Sequence, residues 1–281
     1  MRNAIDGGRG RTWFSRLAGD ADLCAGFPDS VLVADASVGG HPTRFIAVVP
    51  DPDNNFPRAR NGEVGLIEGW QIARAVHQLV IAEQDRKRKS AIVAVIDVTS
   101  QAYGRREEAF GIHQALAAAA GAYAAARLAG HAVIGLIVGK AISGGFLAHG
   151  YQANRLIAFD DSEVMVHAMG KESAARITQR SVEALERLAA TVPPMAYDVI
   201  NYASLGMLWR TLHLESPDRP AASDVDTVVA TLEQALADIT HDPDRGFKTR
   251  LGAPNRKASV QVREKLREQW RVPVNSELDY A

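Results

Sequence analysis

The stretch from Val133 to Tyr151, VIGLIVGKAISGGFLAHGY, constrains the fold more than any other part of the chain. Its apolar run from Val133 to Val138 has the length and composition of a strand buried on both faces, as in a parallel sheet. Gly139 reads as the end of that strand. After Lys140, Ala141, Ile142 and Ser143 comes the pair Gly144-Gly145, and Phe146, Leu147 and Ala148 suit the first turns of a helix. A strand that enters a helix through paired glycines leaves backbone N–H groups with no intrahelical acceptor and no side chain to cover them. Such a turn can hold an oxyanion, and donors aimed at developing negative charge contribute about 2.7–4 kcal/mol each once water is excluded. The same glycines suit a tight corner in which the missing side chain only permits close packing.

The flanking sequence supplies an α/β frame for this turn. Val31 to Val49 reads as a β-hairpin around Gly39-Gly40, Leu66 to Gln84 as an amphipathic helix, and Ala91 to Ser100 as a second buried strand. Residues 107–129 read as one alanine-rich helix, in which small side chains let another element approach closely. Two strands, Arg155 to Phe159 and Glu163 to His167, follow the central turn, and a helix begins near Gly170. Beyond Ser181 the pattern is helical: Val182 to Ala190, Ala196 to Leu212 and Val225 to Ile239. The chain reads as one domain over 1–281, with an N-terminal arm over 1–30 and a mainly helical C-terminal part over 181–281. A basic tail from Arg245 to Arg271 suits either phosphate groups or a solvated helix face.

Composition narrows the chemistry. A formal charge of −1 calls for neither nucleic acid nor an anionic membrane. No apolar run reaches the roughly 18 residues of a membrane span, and the first residues lack a signal peptide's apolar region, so a cytoplasmic protein is expected. A single cysteine, Cys24, and histidines without ligand spacing predict no metal. A P-loop fails because Ile134 and Ala141 stand where glycine and Ser or Thr are required. AISGG around Ser143 approximates a nucleophile elbow with alanine in place of the first glycine, although a serine in a glycine-rich turn is commonly there for its size. Ligands in parallel sheets gather at the carboxyl ends of strands, which makes Tyr103, Gly104 and Arg105 candidate pocket residues. His167 and Lys171 lie past another strand end, and a lysine opening a helix opposes the macrodipole and implies an anionic neighbour.

A family resemblance adds what spacing does not carry. The order of hairpin, helix, strand, alanine-rich helix, strand, Gly-Gly turn, helix and paired strands resembles the crotonase-like ββα spiral, in its carboxyltransferase branch. The stretch from Asp97 to Phe159 is similar to the α half of acetyl-CoA carboxylase carboxyltransferase. KAISGGFLAHG and VMVHAMGKESAARIT resemble the γ-subunit family of malonate decarboxylase, over nearly the whole chain. The resemblance implies a crotonase-like fold with a helical C-terminal extension, a homologous β subunit as partner, and a malonyl thioester on an acyl-carrier subunit with a dephospho-CoA-type arm. No cofactor is expected to be bound tightly by this chain. Carried over by position, the amides of Gly144 and Gly145 are the oxyanion donors and Ser143 shapes their turn; Tyr103, Gly104, Arg105, Lys140, His167 and Lys171 are substrate-binding candidates from their own places in the chain. Lys140-Ala141-Ile142 departs from the more glycine-rich carboxyltransferase pattern, which weakens a biotin site. A self-sufficient crotonase-type hydratase or isomerase and a non-catalytic assembly subunit are the competing readings. A hydratase requires acid/base carboxylates, and the pocket loops offer no convincing pair.

Overall fold

Valine, isoleucine and alanine dominate Val31–Val38 (β1), His41–Val48 (β2), Ala91–Val98 (β3) and Val133–Ile142 (β4), and all become strands. The computed structural model describes residues 8–242 and 251–270. β1 and β2 pair antiparallel across Gly39-Gly40, whose positive φ angles are what a two-residue hairpin turn demands. From β2 onward the sheet is parallel, through β3 and β4 to Arg155–Phe159 (β5) and finally Arg210–Leu212 (β7).

The crossovers are Leu66–Ala82 (α2) and Ile112–Leu128 (α4), and they pack on each other. The alanine-rich composition is what lets them do so: a side chain at Gly69 of α2 would stand 2.7 Å from the Ala115 carbonyl oxygen of α4. α4 does not begin at 107. Arg105–Ala109 (α3) is a separate turn, and Gly111, at φ 79°, reverses the chain before Ile112.

Gly8–Ala18 (α1) and Ala222–His241 (α9) form a second group on the sheet. The N-terminal segment, read as an arm or a short helix, carries a core helix. Trp13 is fully buried, edge-on to Phe159 at 4.7 Å, and Arg9 is paired with Asp161 at 2.9 Å and Asp218 at 2.7 Å. Between β5 and β7 lie Met165–His167 (β6), Lys171–Ile177 (α6), Val182–Ala189 (α7) and Val199–Ser204 (α8). The helix expected from Ala196 to Leu212 is thus only one short helix, because Gly206 takes a left-handed φ of 72° and the chain then joins the sheet as β7. After residue 250 the described chain ends in Lys257–Trp270 (α10), in which no residue is buried. The first part of the basic tail, from Arg245 to Arg250, and its last residue, Arg271, lie outside the described residues.

The central strand does not stop at Gly139. Between the pairs Ile96–Ile137 and Val98–Ala141, β4 advances four residues while β3 advances two, so a bulge carries Val138, Gly139 and Lys140. The Asp97 carboxylate fills the gap and accepts the Lys140 amide at 3.0 Å and the Gly10 amide at 3.1 Å. Gly139 is required there because a Cβ would stand 2.6 Å from the Asp97 carboxyl carbon. Before the bulge β4 pairs with β5, and after it Lys140–Ile142 pair with β6.

One polar pair is sealed beneath this strand layer. His149 and Tyr123 are both fully buried, with the Tyr123 hydroxyl 3.0 Å from Nδ1 of His149 and Nε2 of His149 3.1 Å from the Val95 carbonyl oxygen. The Val95 contact requires an N–H at Nε2, so Nδ1 accepts from the tyrosine. Burial pushes the His149 pKa down to about 4, opposed by the Val95 hydrogen bond. The unfolded chain then binds a proton between roughly pH 6.5 and 4 that the folded chain refuses. Stability is full above that window and falls as the pH drops through it, by on the order of 3 kcal/mol for this residue. Urea unfolding at pH 7.5 and 4.5 is expected to show this loss, and His149→Gln should flatten the slope over the same window.

Candidate active site

β4 delivers its carboxyl end into Ser143–Ala148 (α5), so the glycine pair lies in the first turn of that helix. Ser143 opens it at φ 64°, a left-handed conformation that costs a non-glycine residue about 1–3 kcal/mol and that persists only where the surroundings impose it. As the second and third residues of α5, Gly144 and Gly145 have amides without an acceptor one turn back. The strand-to-helix reading holds, with the helix beginning at Ser143 rather than at Phe146.

The two glycines face different neighbours. Gly145 is buried, and a Cβ there would run into the Ser100 carbonyl oxygen and lie 2.6 Å from Cγ1 of Val98. Gly144 is half-buried, and a Cβ there would displace the side-chain oxygen of Gln101 and stand 3.5 Å from Leu116. Close packing and exposed donors therefore coexist in the same turn. The segment against which α5 packs is fixed: the Val64 amide bonds the Ser100 oxygen at 3.0 Å, and the Ala102 amide bonds the Val64 oxygen at 2.9 Å.

Of the other sequence candidates, some converge on this turn and some do not. Ser143 and His167 line one cavity of about 290 Å³ together with Phe146, Tyr151, Tyr202 and Arg256. His167 pairs with Ile142 across β6, stacks on Tyr197 at 4.0 Å, and has Nδ1 3.0 Å from the Met169 carbonyl oxygen. Burial lowers its pKa, and backbone hydrogen bonds to Met169 and Pro194 oppose that shift. Lys171 finds its anionic neighbour within the chain, Glu186 at 2.8 Å, and lies 5.5 Å from the Tyr197 ring centre. Lys140 lies apart, lining a cavity of about 1130 Å³ with Arg9, Thr12 and Arg16 of α1.

Tyr103 and Arg105 are exposed two and four residues beyond Gln101. Gly104 is buried because the Glu107 and Arg58 side chains close over it, 4.0 Å from each other. The sequence offers no local signal for Gln101, which follows the strand Ala91 to Ser100, and leaves Arg256 in the basic tail. Their proximity to the turn comes from the Val64 bridge and from the Arg256 bond to the Leu205 carbonyl oxygen at 2.9 Å, both tertiary features. Among the described residues no three His, Cys, Asp or Glu side chains converge as a metal site, and no helix is long and apolar enough to cross a membrane.

The chain resembles known proteins over most of its length. Residues 59–270 match the sequence-family model described as malonate decarboxylase gamma subunit. A malonyl-S-ACP:biotin-protein carboxyltransferase from Malonomonas rubra is 31% identical over 236 residues, covering 83% of this chain and 77% of the relative. In a Pseudomonas malonate decarboxylase hetero-tetramer in complex with coenzyme A, one chain is 63% identical with a TM-score of 0.90, covering 93% of this chain and 99% of that one. The MdcD–MdcE hetero-dimer of the same enzyme contains a chain 60% identical with a TM-score of 0.86, covering 94% and 99%.

The packing of the turn yields a paired test. Gly145→Ala should lower Tm by several degrees, because the Ser100 backbone cannot move aside and each kcal/mol is worth about 2–4 °C in a domain this size. Gly121→Ala, with open space at its Cβ on α4, should raise stability by up to about 1 kcal/mol. Thermal unfolding followed by circular dichroism checks both.

Proposed function

Because the chain belongs to the malonate decarboxylase gamma-subunit family, we propose that it supplies one half of a decarboxylase active site, completed by a homologous beta subunit. The crotonase-like fold it shares with carboxyltransferases suits that division of labour. The substrate is a malonyl thioester on an acyl-carrier subunit, with a dephospho-CoA-type arm and a cytoplasmic setting. The observation that carries the reading is the β4–α5 turn, in which the amides of Gly144 and Gly145 fall in the first turn of α5, where no intrahelical acceptor reaches them, beside Ser143.

In the reaction the bond between the malonyl carboxylate and the α-carbon breaks, and its electron pair moves into the thioester as an enolate while CO₂ leaves. A proton from water then adds to the α-carbon and gives the acetyl thioester. The chain's part is to hold the thioester oxygen on donors fixed before the charge develops, which is where such donors are worth most. His167 shares the cavity of Ser143 and is stacked on Tyr197, and Lys171 is paired with Glu186, so in this reading neither transfers a proton. Release of CO₂ is favoured over transfer to biotin because the relatives at 60–63% identity are decarboxylases, whereas the biotin-protein carboxyltransferase stands at 31%.

Two competing readings carry less. A hydratase needs acid/base carboxylates, and among the described residues none that lines the cavity at Ser143 is acidic. A serine nucleophile gains something from the left-handed φ of Ser143, yet His167, the imidazole in the same cavity, is bound to Met169 and stacked on Tyr197.

Two measurements test the proposal. The chain alone should release negligible CO₂ from a malonyl thioester, and a beta subunit should restore turnover with saturation near one partner per chain; enzyme-like turnover by the chain alone, on malonyl or enoyl thioesters, overturns it. In the complex Ser143→Ala should keep its rate within about tenfold, whereas covalent labelling of Ser143 by a fluorophosphonate together with an inactive alanine variant would establish a hydrolase instead.

A further inference from the structure

We propose that the side-chain carboxamide of Gln101 is a catalytic donor, reaching the thioester oxygen beside the amides of Gly144 and Gly145. The inference rests on the decarboxylase reading and adds a residue to it. The backbone on either side of Gln101 is pinned by the two hydrogen bonds to Val64, at 3.0 and 2.9 Å, so the root of the side chain cannot wander. The side chain is half-buried against Gly144, and its carboxamide has no hydrogen-bond partner among the described residues. A carboxamide has two N–H donors and an acceptor oxygen, and one held beside the turn with no protein partner has its donors free for a ligand. Its nitrogen and oxygen exchange places by rotation of the terminal group, so the N–H face can turn toward the site.

The glycine at 144 acquires a second reason in this arrangement. Any Cβ there would push the Gln101 carboxamide away, so glycine keeps both the amide uncovered and the side-chain donor in place. A neutral donor also suits the chemistry. It stabilises an enolate oxygen without protonating it, which leaves the electron pair free to take up a proton at carbon. A lysine or histidine at the same place would compete for that pair by delivering a proton to oxygen.

The test uses the complex of the full chain with its beta and acyl-carrier subunits, charged with a malonyl thioester, and reads CO₂ release. Gln101→Ala should lower kcat by about 10²–10³ with KM within about threefold, and leave Tm and partner affinity unchanged. Gln101→Glu should be as poor at pH 8, where the carboxylate repels the oxyanion, and should recover as the pH falls toward 5 and the protonated acid regains a donor hydrogen. That rise should be absent from Gln101→Ala, and a merely structural role would not produce it. An alanine variant within threefold of the unmodified complex, a rate loss that tracks lost assembly or Tm, or a glutamate variant without recovery at low pH each overturns the assignment. A complex with unmodified Gln101 that releases no CO₂ overturns the decarboxylase reading, and the role of Gln101 with it.

Discussion

Two hydrogen bonds to one carboxylate decide where the centre of this fold points. Asp97 accepts the Gly10 amide from α1 and the Lys140 amide from the bulge of β4. An extra pair of residues in one strand leaves backbone groups without ladder partners, and buried groups of that kind are costly unless something bonds them. Asp97 meets that need for Lys140 and occupies the space that a side chain at Gly139 would take. Beyond the bulge β4 is re-aimed, away from β5 and into register with β6. Only with that change does the Gly144-Gly145 turn arrive over the exit of β3, against Gln101 and Ser100. The same carboxylate ties α1 to the sheet, so the N-terminal helix and the candidate turn share one anchor.

Glycine serves two distinct purposes around that anchor. At Gly39, Gly40 and Gly111 the backbone takes a left-handed φ that side chains disfavour. At Gly69, Gly139 and Gly145 the φ is ordinary and the constraint is a neighbouring backbone or carboxylate too near for a Cβ. Gly145 shows why packing and chemistry are hard to separate in such turns. The contact with the Ser100 oxygen holds α5 down on β3, and that seating is what keeps the first-turn amides in a fixed direction. A preorganised donor needs both, because a donor free to reorient loses much of its advantage over water.

Much of this was legible in the sequence because burial leaves strong patterns. Strands buried on both faces read as unbroken apolar runs, the hairpin announced itself through Gly39-Gly40, and the glycine pair located the strand-to-helix turn. The family resemblance supplied the partner and the substrate class. What did not show is tertiary in origin. The strand runs through Gly139 and Lys140 because a carboxylate from 43 residues earlier completes it, which no local window contains. Gly111 splits a helix whose alanines looked continuous, and three residues at Arg210–Leu212 become a strand only because β5 offers an edge. Lys140 and Gly144 are close in sequence, yet one lines a cavity with α1 and the other meets Gln101 and Leu116. The anionic neighbour that the sequence implies for Lys171 is Glu186, fifteen residues on.

The shape of the turn also bears on why a second subunit belongs beside it. An enolate on a thioester is favourable only where water cannot compete for the oxygen, since hydrogen bonds and charges gain strength as the medium becomes less polar. This chain supplies a dry floor: Val98, Phe146 and Gly145 are buried, and Tyr123 with His149 seals the layer beneath. Among the described residues none forms a roof. Gly144 is half-open, Leu147 on the next turn is 48% exposed, and Tyr103 and Phe110 stand out at 63% and 65% on the neighbouring loop and helix end. Arg106 covers the Phe56 ring at 4.9 Å without enclosing the turn. Exposed aromatic and aliphatic groups of this kind are the surface that, on the proposed reading, a homologous half covers as it closes the site.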